Sequence, residues 1–181
     1  MSQAYAALSS HYDAQALTPN EALAKAKTAA TKAVELDDSL AESHAALAVV
    51  DQRYDLDWSA AEKQFRRAIE LNANYAVAHQ QYSSLLAGSG RTAEAKSELL
   101  LAQQLDPHSV SIAKDLGELL VYERNYDKAI EQFRSAIDID PTDPQAVATR
   151  RGLGWAYELR GMHEQALAGF SKHRERKTPA R

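Results

Sequence analysis

The chain has 181 residues, 45% of them hydrophobic, with 21 Lys plus Arg against 25 Asp plus Glu and a formal net charge of -4. That length can bury a core without staples, the charge balance lacks the basic face of a dedicated nucleic-acid binder, and the absence of Cys excludes disulfide frameworks and thiolate metal sites. The opening MSQAYAALSSHY has neither the charged start nor the apolar core of a signal peptide, and no run approaches the roughly 20 apolar residues of a membrane helix, so the expectation is a soluble, cytoplasmic chain.

In chain order, Tyr5, Leu8 and Tyr12 recur at helical spacing, and the interruption Asp13 to Leu17 follows. Thr18, Pro19 and Glu21 then signal a helix start by N-cap, first-turn Pro and capping box. The helix runs to about Leu36, with Leu23, Ala26, Ala30 and Ala33 inward. Ser39 or a neighbour opens the next helix, which leads to a joint at RYDLD, and Asp57 caps a helix with Trp58 in its first turn. Ala76 to Ala87 and Thr92 to Leu105 form a regular pair joined by GSGR, where Gly88 and Gly90 supply left-handed backbone. Helices at about 110–121 and 127–139 follow, joined by ERNYD, and Pro107 and Pro141 stop the helices before them. Asp143 and Pro144 start a helix carrying Leu153, Gly154 and Tyr157, Gly161 breaks it, and a last helix begins at Glu164.

A period runs through this series. Ala61, Phe65, Ala68 and Leu71 return as Ala95, Leu99, Ala102 and Leu105, and again as Ala129, Phe133, Ala136 and Ile139. Such a period marks stacked helical hairpins, which bury a continuous core only by stacking and curve around a concave groove. The last interval, Ala129 to Ala166, is stretched by three residues, expected to lengthen the start of the fifth unit's first helix. Small residues such as Gly117 and Ala129 allow close helix approach, while Phe65, Leu99, Phe133 and Phe170 fill the space between hairpins.

The pairs Leu47-Ala48, Tyr82-Ser83, Leu116-Gly117 and Leu153-Gly154 on first helices, with the Ala, aromatic, Ala, Leu series on second helices and a closing Pro, resemble the tetratricopeptide repeat from about Ala4 to His173. The resemblance implies an all-α, right-handed α-solenoid of about five hairpins and about ten helices. It divides one domain, 1–175, into units near 3–38, 39–75, 76–109, 110–143 and 144–175, with a flexible basic tail at 176–181. It also implies a groove lined by the first helix of each unit that receives a peptide or partner segment. Groove positions transfer to Gln80, Gln81, Ser84, Lys114, Glu118, Tyr122, Arg151 and Trp155, with Ala45, Val49, Asp115 and Glu158 beside them. The same positions would also serve as plain solvated helix surface, and Trp155 as a packing residue. Ala45, Val49 and Gln81 stand where some family members clamp a terminal carboxylate, so that clamp is missing.

His44 and His79 occupy matching places that face a hairpin interior, without converging further ligands, so no metal is expected. No GxSxG elbow, HExxH helix or phosphate loop is present, and GSGR and GLGW fall at a turn and inside a helix. The expectation is therefore a non-catalytic, cofactor-free protein-interaction module that binds protein or peptide and neither nucleic acid nor membrane. Two alternatives belong to other classes. The array resembles those attached to bacterial winged-helix regulators, protein kinases and nucleotide cyclases, which implies the regulatory arm of a larger signalling protein. Leu167 and Phe170, without a recognisable capping helix, could instead pair two molecules end to end.

Overall fold

The computed structural model describes residues 19–167, and side chains from Glu21. Its helices are α1 (Pro19–Leu36), α2 (Ala41–Val50), α3 (Trp58–Leu71), α4 (Ala76–Gly88), α5 (Thr92–Leu105), α6 (Val110–Tyr122), α7 (Tyr126–Ile139) and α8 (Ala146–Arg160), and residues 163–167 are again helical. No strand occurs among the described residues. The helix expected over Gln3 to Tyr12, Phe170 and the basic tail lie outside them.

The second helices of the hairpins bury one face for a visible reason. In α3, Ala61, Phe65 and Ala68 fall on one face and are buried, while Lys63, Arg66, Arg67 and Glu70 face solvent. The equivalent residues Ala95, Leu99 and Ala102 of α5 and Ala129, Phe133 and Ala136 of α7 are buried in the same way. Neighbouring helices pack in sequence, α2 on α3, α4 on α5 and α6 on α7, and successive hairpins stack through α3 on α4, α5 on α6 and α7 on α8. The stack is an α-solenoid. Phe65 and Phe133 are 0% and 1% exposed, so truncating either to Ala would open a cavity costing about 3–5 kcal/mol.

Phe133 shows how small residues set the spacing. A Cβ added at Gly117 on α6 would lie 2.7 Å from its ring, and one at Gly152 on α8 would lie 2.8 Å away. The ring thus reaches bare backbone on both sides.

The hairpin turns share one backbone device. Leu56, Gly90, Arg124 and Gly161 occupy the matching turn position, and all have positive φ, at 53°, 78°, 59° and 82°. In three turns the next amide donates to a carbonyl five residues back: Arg91 to Leu86, Asn125 to Leu120 and Met162 to Tyr157. The turn after α2 differs, because Asp57 N donates to Asp51 O, one residue further back. Residues Asp51–Asp55 form a π-helical turn continuing α2. The cause is one additional residue: His44 lies one position further from Ala61 than His79 does from Ala95. A π turn absorbs such an insertion without shifting the buried faces on either side.

The structure corrects three expectations. RYDLD is not a plain joint, since helical winding extends through Asp55. Of Ser39 and its neighbours it is Leu40 that precedes α2, within the expected choice, because Ser39 turns its hydroxyl back to Asp37 Oδ1. Gly88 ends α4 in helical conformation, and its function is spatial: a Cβ there would lie 2.8 Å from the Trp58 ring. Asp143 and Pro144 lie in a turn before Ala146, with Asp143 Oδ1 accepting from Gln145 N. The stretch in the last unit is therefore shared between a longer turn, Asp140 to Gln145, and a longer α8, which has 15 residues against 13 in α6. Asp57 does cap α3, accepting from Ala60 N at 2.9 Å.

Candidate functional site

The groove residues expected from sequence fall on α4, α6 and α8, the first helices of three successive hairpins. Ser84, Glu118 and Tyr122 line one cavity of about 350 Å³. Its walls are Ser83, Ser84 and Ala87 of α4 and Asp115, Glu118 and Tyr122 of α6, and its base is Thr92, Ala95 and Leu99 of α5 with Leu119 of α6. The small side chains of Ser83, Ala87 and Ala95 leave space between α4 and α6 that larger residues would fill. The base was not named from sequence as part of the groove, although its small Ala95 in the helix-B series was the available signal.

Other expected positions are taken up by neighbours. Gln80 is only 5% exposed, and its amide nitrogen reaches Ser111 Oγ and, at 2.6 Å, Asp115 Oδ2, joining α4 to α6. Gln81 is half-buried. Lys114 pairs with Asp115 Oδ1 and, at 3.3 Å, with Glu118 Oε1. Burial of Lys114 opposes its charge, yet its hydrogen bond to Asp115 and the attraction of both carboxylates outweigh it and raise its pKa. Arg151 and Trp155 lie on α8 beyond the cavity, and both are exposed. Trp155 occupies on α8 the place that Glu118 has on α6 and Ser84 on α4, as the alignment of Leu153-Gly154 with Leu116-Gly117 and Tyr82-Ser83 requires. The aromatic groups of this face are open, with Tyr122 76% and Trp155 60% exposed. Glu158 accepts from His163 at 2.9 Å. Leu167 is exposed.

The paired histidines are buried and bonded within their hairpins. His44 Nδ1 lies 2.7 Å from Gln64 Oε1 and Nε2 2.9 Å from Asp38 O. His79 Nδ1 lies 2.6 Å from Glu98 Oε2 and Nε2 3.0 Å from Ala73 O. Among the described residues no group of three or more His, Asp and Glu converges as metal ligands, and no helix is long and apolar enough to cross a membrane. A second, open cleft of about 620 Å³ lies between the turn at Pro107 and His108 and the α7 residues Glu131, Arg134, Ser135, Asp138 and Ile139. It was not anticipated from sequence, because it depends on how far that turn stands from α7.

Comparison with known proteins follows this geometry. Residues 108–177 match the family model described as Tetratricopeptide repeat. The chain is 30% identical over 122 residues to the type IV pilus assembly protein PilF of Pseudomonas aeruginosa, an alignment covering 66% of this chain and 48% of PilF. The chain thus spans about half the length of that curated relative. The solved structure of PilF superposes with a TM-score of 0.70 at 25% identity, over 83% of this chain and 68% of that one. MamA from Desulfovibrio magneticus RS-1 shares the fold at a TM-score of 0.71 and 17% identity, covering 88% and 90% of the two chains. YrrB, described as a TPR protein with an unusual peptide-binding site, shares it at 0.63 and 22%, covering 83% and 75%. Residues 108–177 thus match the tetratricopeptide repeat, and the repeat register and stacked hairpins of the rest of the described chain are similar to it.

Proposed function

We propose that this chain is a non-catalytic protein-interaction module that holds a peptide or protein segment against the face formed by α4, α6 and α8. The observation that carries the reading is the open cavity between α4 and α6, with an apolar base at Ala95, Leu99 and Leu119 and an exposed aromatic, Tyr122, at its rim. Recognition surfaces concentrate affinity in aromatic side chains that present large area with few rotatable bonds. Trp155 extends this face onto the next hairpin. PilF is an assembly protein by name, and YrrB is described as having a peptide-binding site, which fits the reading.

The test is selection of peptides from a random display library on the intact chain, then titration of those recovered against variants. Y122A combined with W155A is expected to weaken binding by roughly tenfold or more. E131A combined with D138A, in the second cleft, is expected to leave it unchanged. The opposite pattern would move the site to the second cleft and defeat the proposal.

A further inference from the structure

The face has a charge preference of its own. Two carboxylates, Asp115 and Glu118, share the single ammonium of Lys114, so this cluster retains one negative charge at the cavity mouth. Both oxygens of Asp115 are engaged, one by Lys114 and the other by Gln80. Glu118 is held less closely: its pair with Lys114 is long, at 3.3 Å, and its side chain is 55% exposed. Tyr122 lies one helical turn further along the same face of α6 and lines the same cavity. Trp155 holds on α8 the position that Glu118 has on α6, and α8 packs against α6. A carboxylate one turn from the exposed Tyr122, with the exposed Trp155 on the neighbouring helix, suits a Lys or Arg side chain, which can gain both the ion pair and the attraction of a ring face. Behind it, Leu99, Leu119 and Ala95 offer an apolar base.

Resting on the groove reading, we infer that the partner segment carries a Lys or Arg beside an aliphatic residue. The cation meets Glu118 between Tyr122 and Trp155, and the aliphatic side chain enters the cavity over Leu99 and Leu119. Arg151, exposed one turn before Trp155, repels a second cation and keeps the basic character local. Glu158 is already held by His163, so the preference is set at Glu118.

Four synthetic peptides of one length and one neutral frame test this, differing only in a central pair: Leu-Lys, Leu-Glu, Leu-Gln or Ala-Lys. Calorimetric titration against the intact chain should show Leu-Lys roughly tenfold tighter than Leu-Glu and about fivefold tighter than Ala-Lys, with Leu-Gln between Leu-Lys and Leu-Glu. E118Q should reduce the Leu-Lys preference over Leu-Glu to about twofold, and E118K should invert it, with helix content unchanged because the side chain is exposed. Equal or tighter binding of Leu-Glu, with Y122A and W155A still weakening it, would overturn the charge inference and leave the groove standing. Binding indifferent to Y122A and W155A, or no binding by any of the four at millimolar concentration, would count against both.

Discussion

At the scale of single residues, the two matching histidines are alike in position and different in chemistry. Both neighbours of the His79 ring, the Glu98 carboxylate and the Ala73 carbonyl, only accept hydrogen bonds, so both contacts are made at once only by the imidazolium. The hydrogen bond that His79 donates to Glu98 raises its pKa above the ordinary 6.5, against the opposing effect of burial. A raised folded-state pKa adds stability that is fully present below 6.5 and is lost as pH climbs through the folded value. His44 faces the Gln64 amide, which can donate or accept and carries no charge. Urea midpoints should therefore fall between pH 6 and pH 8 in the wild type. E98Q should lower stability by about 1–2 kcal/mol at pH 6 and flatten that slope; a slope that survives E98Q would locate the titration elsewhere. The sequence shows that both histidines face inward, because the repeat period fixes the face. It does not show their partners, which come from the opposite helix of the hairpin.

At the scale of the element, the turns separate what residue type announces from what it hides. Gly90 and Gly161 mark left-handed positions openly, since only glycine adopts them without a Cβ penalty. Leu56 and Arg124 adopt the same conformation, held there by the repeat's hydrogen bonds, and nothing in their side chains signals it. Each carries about 1 kcal/mol of strain that glycine would release. R124G is thus expected to raise stability by about 1 kcal/mol in chemical denaturation, and G161A to lower it by a similar amount. A destabilised R124G would mean that loop entropy outweighs the strain. The glycines facing Phe133 act through space instead. G152A would press a methyl group into a ring that is 1% exposed and is expected to cost about 1–3 kcal/mol. G88A meets only Trp58, which is 39% exposed and has room to move, so thermal melts should show it nearly neutral. The π turn belongs here too: the inserted residue is countable in the sequence, but whether it becomes loop or extra winding depends on Asp57 holding the start of α3.

At the scale of the whole molecule, each hairpin of the stack meets only its neighbours, so global stability depends on the junctions between them. These junctions are not equivalent, which a periodic reading of the sequence cannot reveal because the charged side chains that link them, Glu62, Arg91 and Arg134, fall outside the repeated series. Between the hairpins α2–α3 and α4–α5, Glu62 accepts from Arg91 at 2.8 and 2.9 Å, from Arg66 at 2.8 Å and from the Tyr82 hydroxyl at 2.8 Å. The hydrogen bonds from Arg91, Arg66 and Tyr82 hold its carboxyl at about 2, below the ordinary 4.5. Between α7 and α8, Arg134 donates to the Tyr157 hydroxyl at 2.9 Å and Arg160 to Asp127 at 2.7 Å, with the Phe133 ring packed against Gly152. A depressed carboxyl pKa adds stability that is present above 4.5 and is lost as pH falls toward about 2. E62Q should therefore be less stable than wild type at pH 7, with the difference shrinking steadily below pH 4.5. Because the lost bonds cross one junction, the effect should be regional. Hydrogen exchange in E62Q at pH 7 should show faster opening of amides in α2 and α3, while α6 and α7 keep wild-type protection. Uniform acceleration along the chain would mean that the solenoid unfolds as one unit and that the Glu62 junction is not its weak boundary.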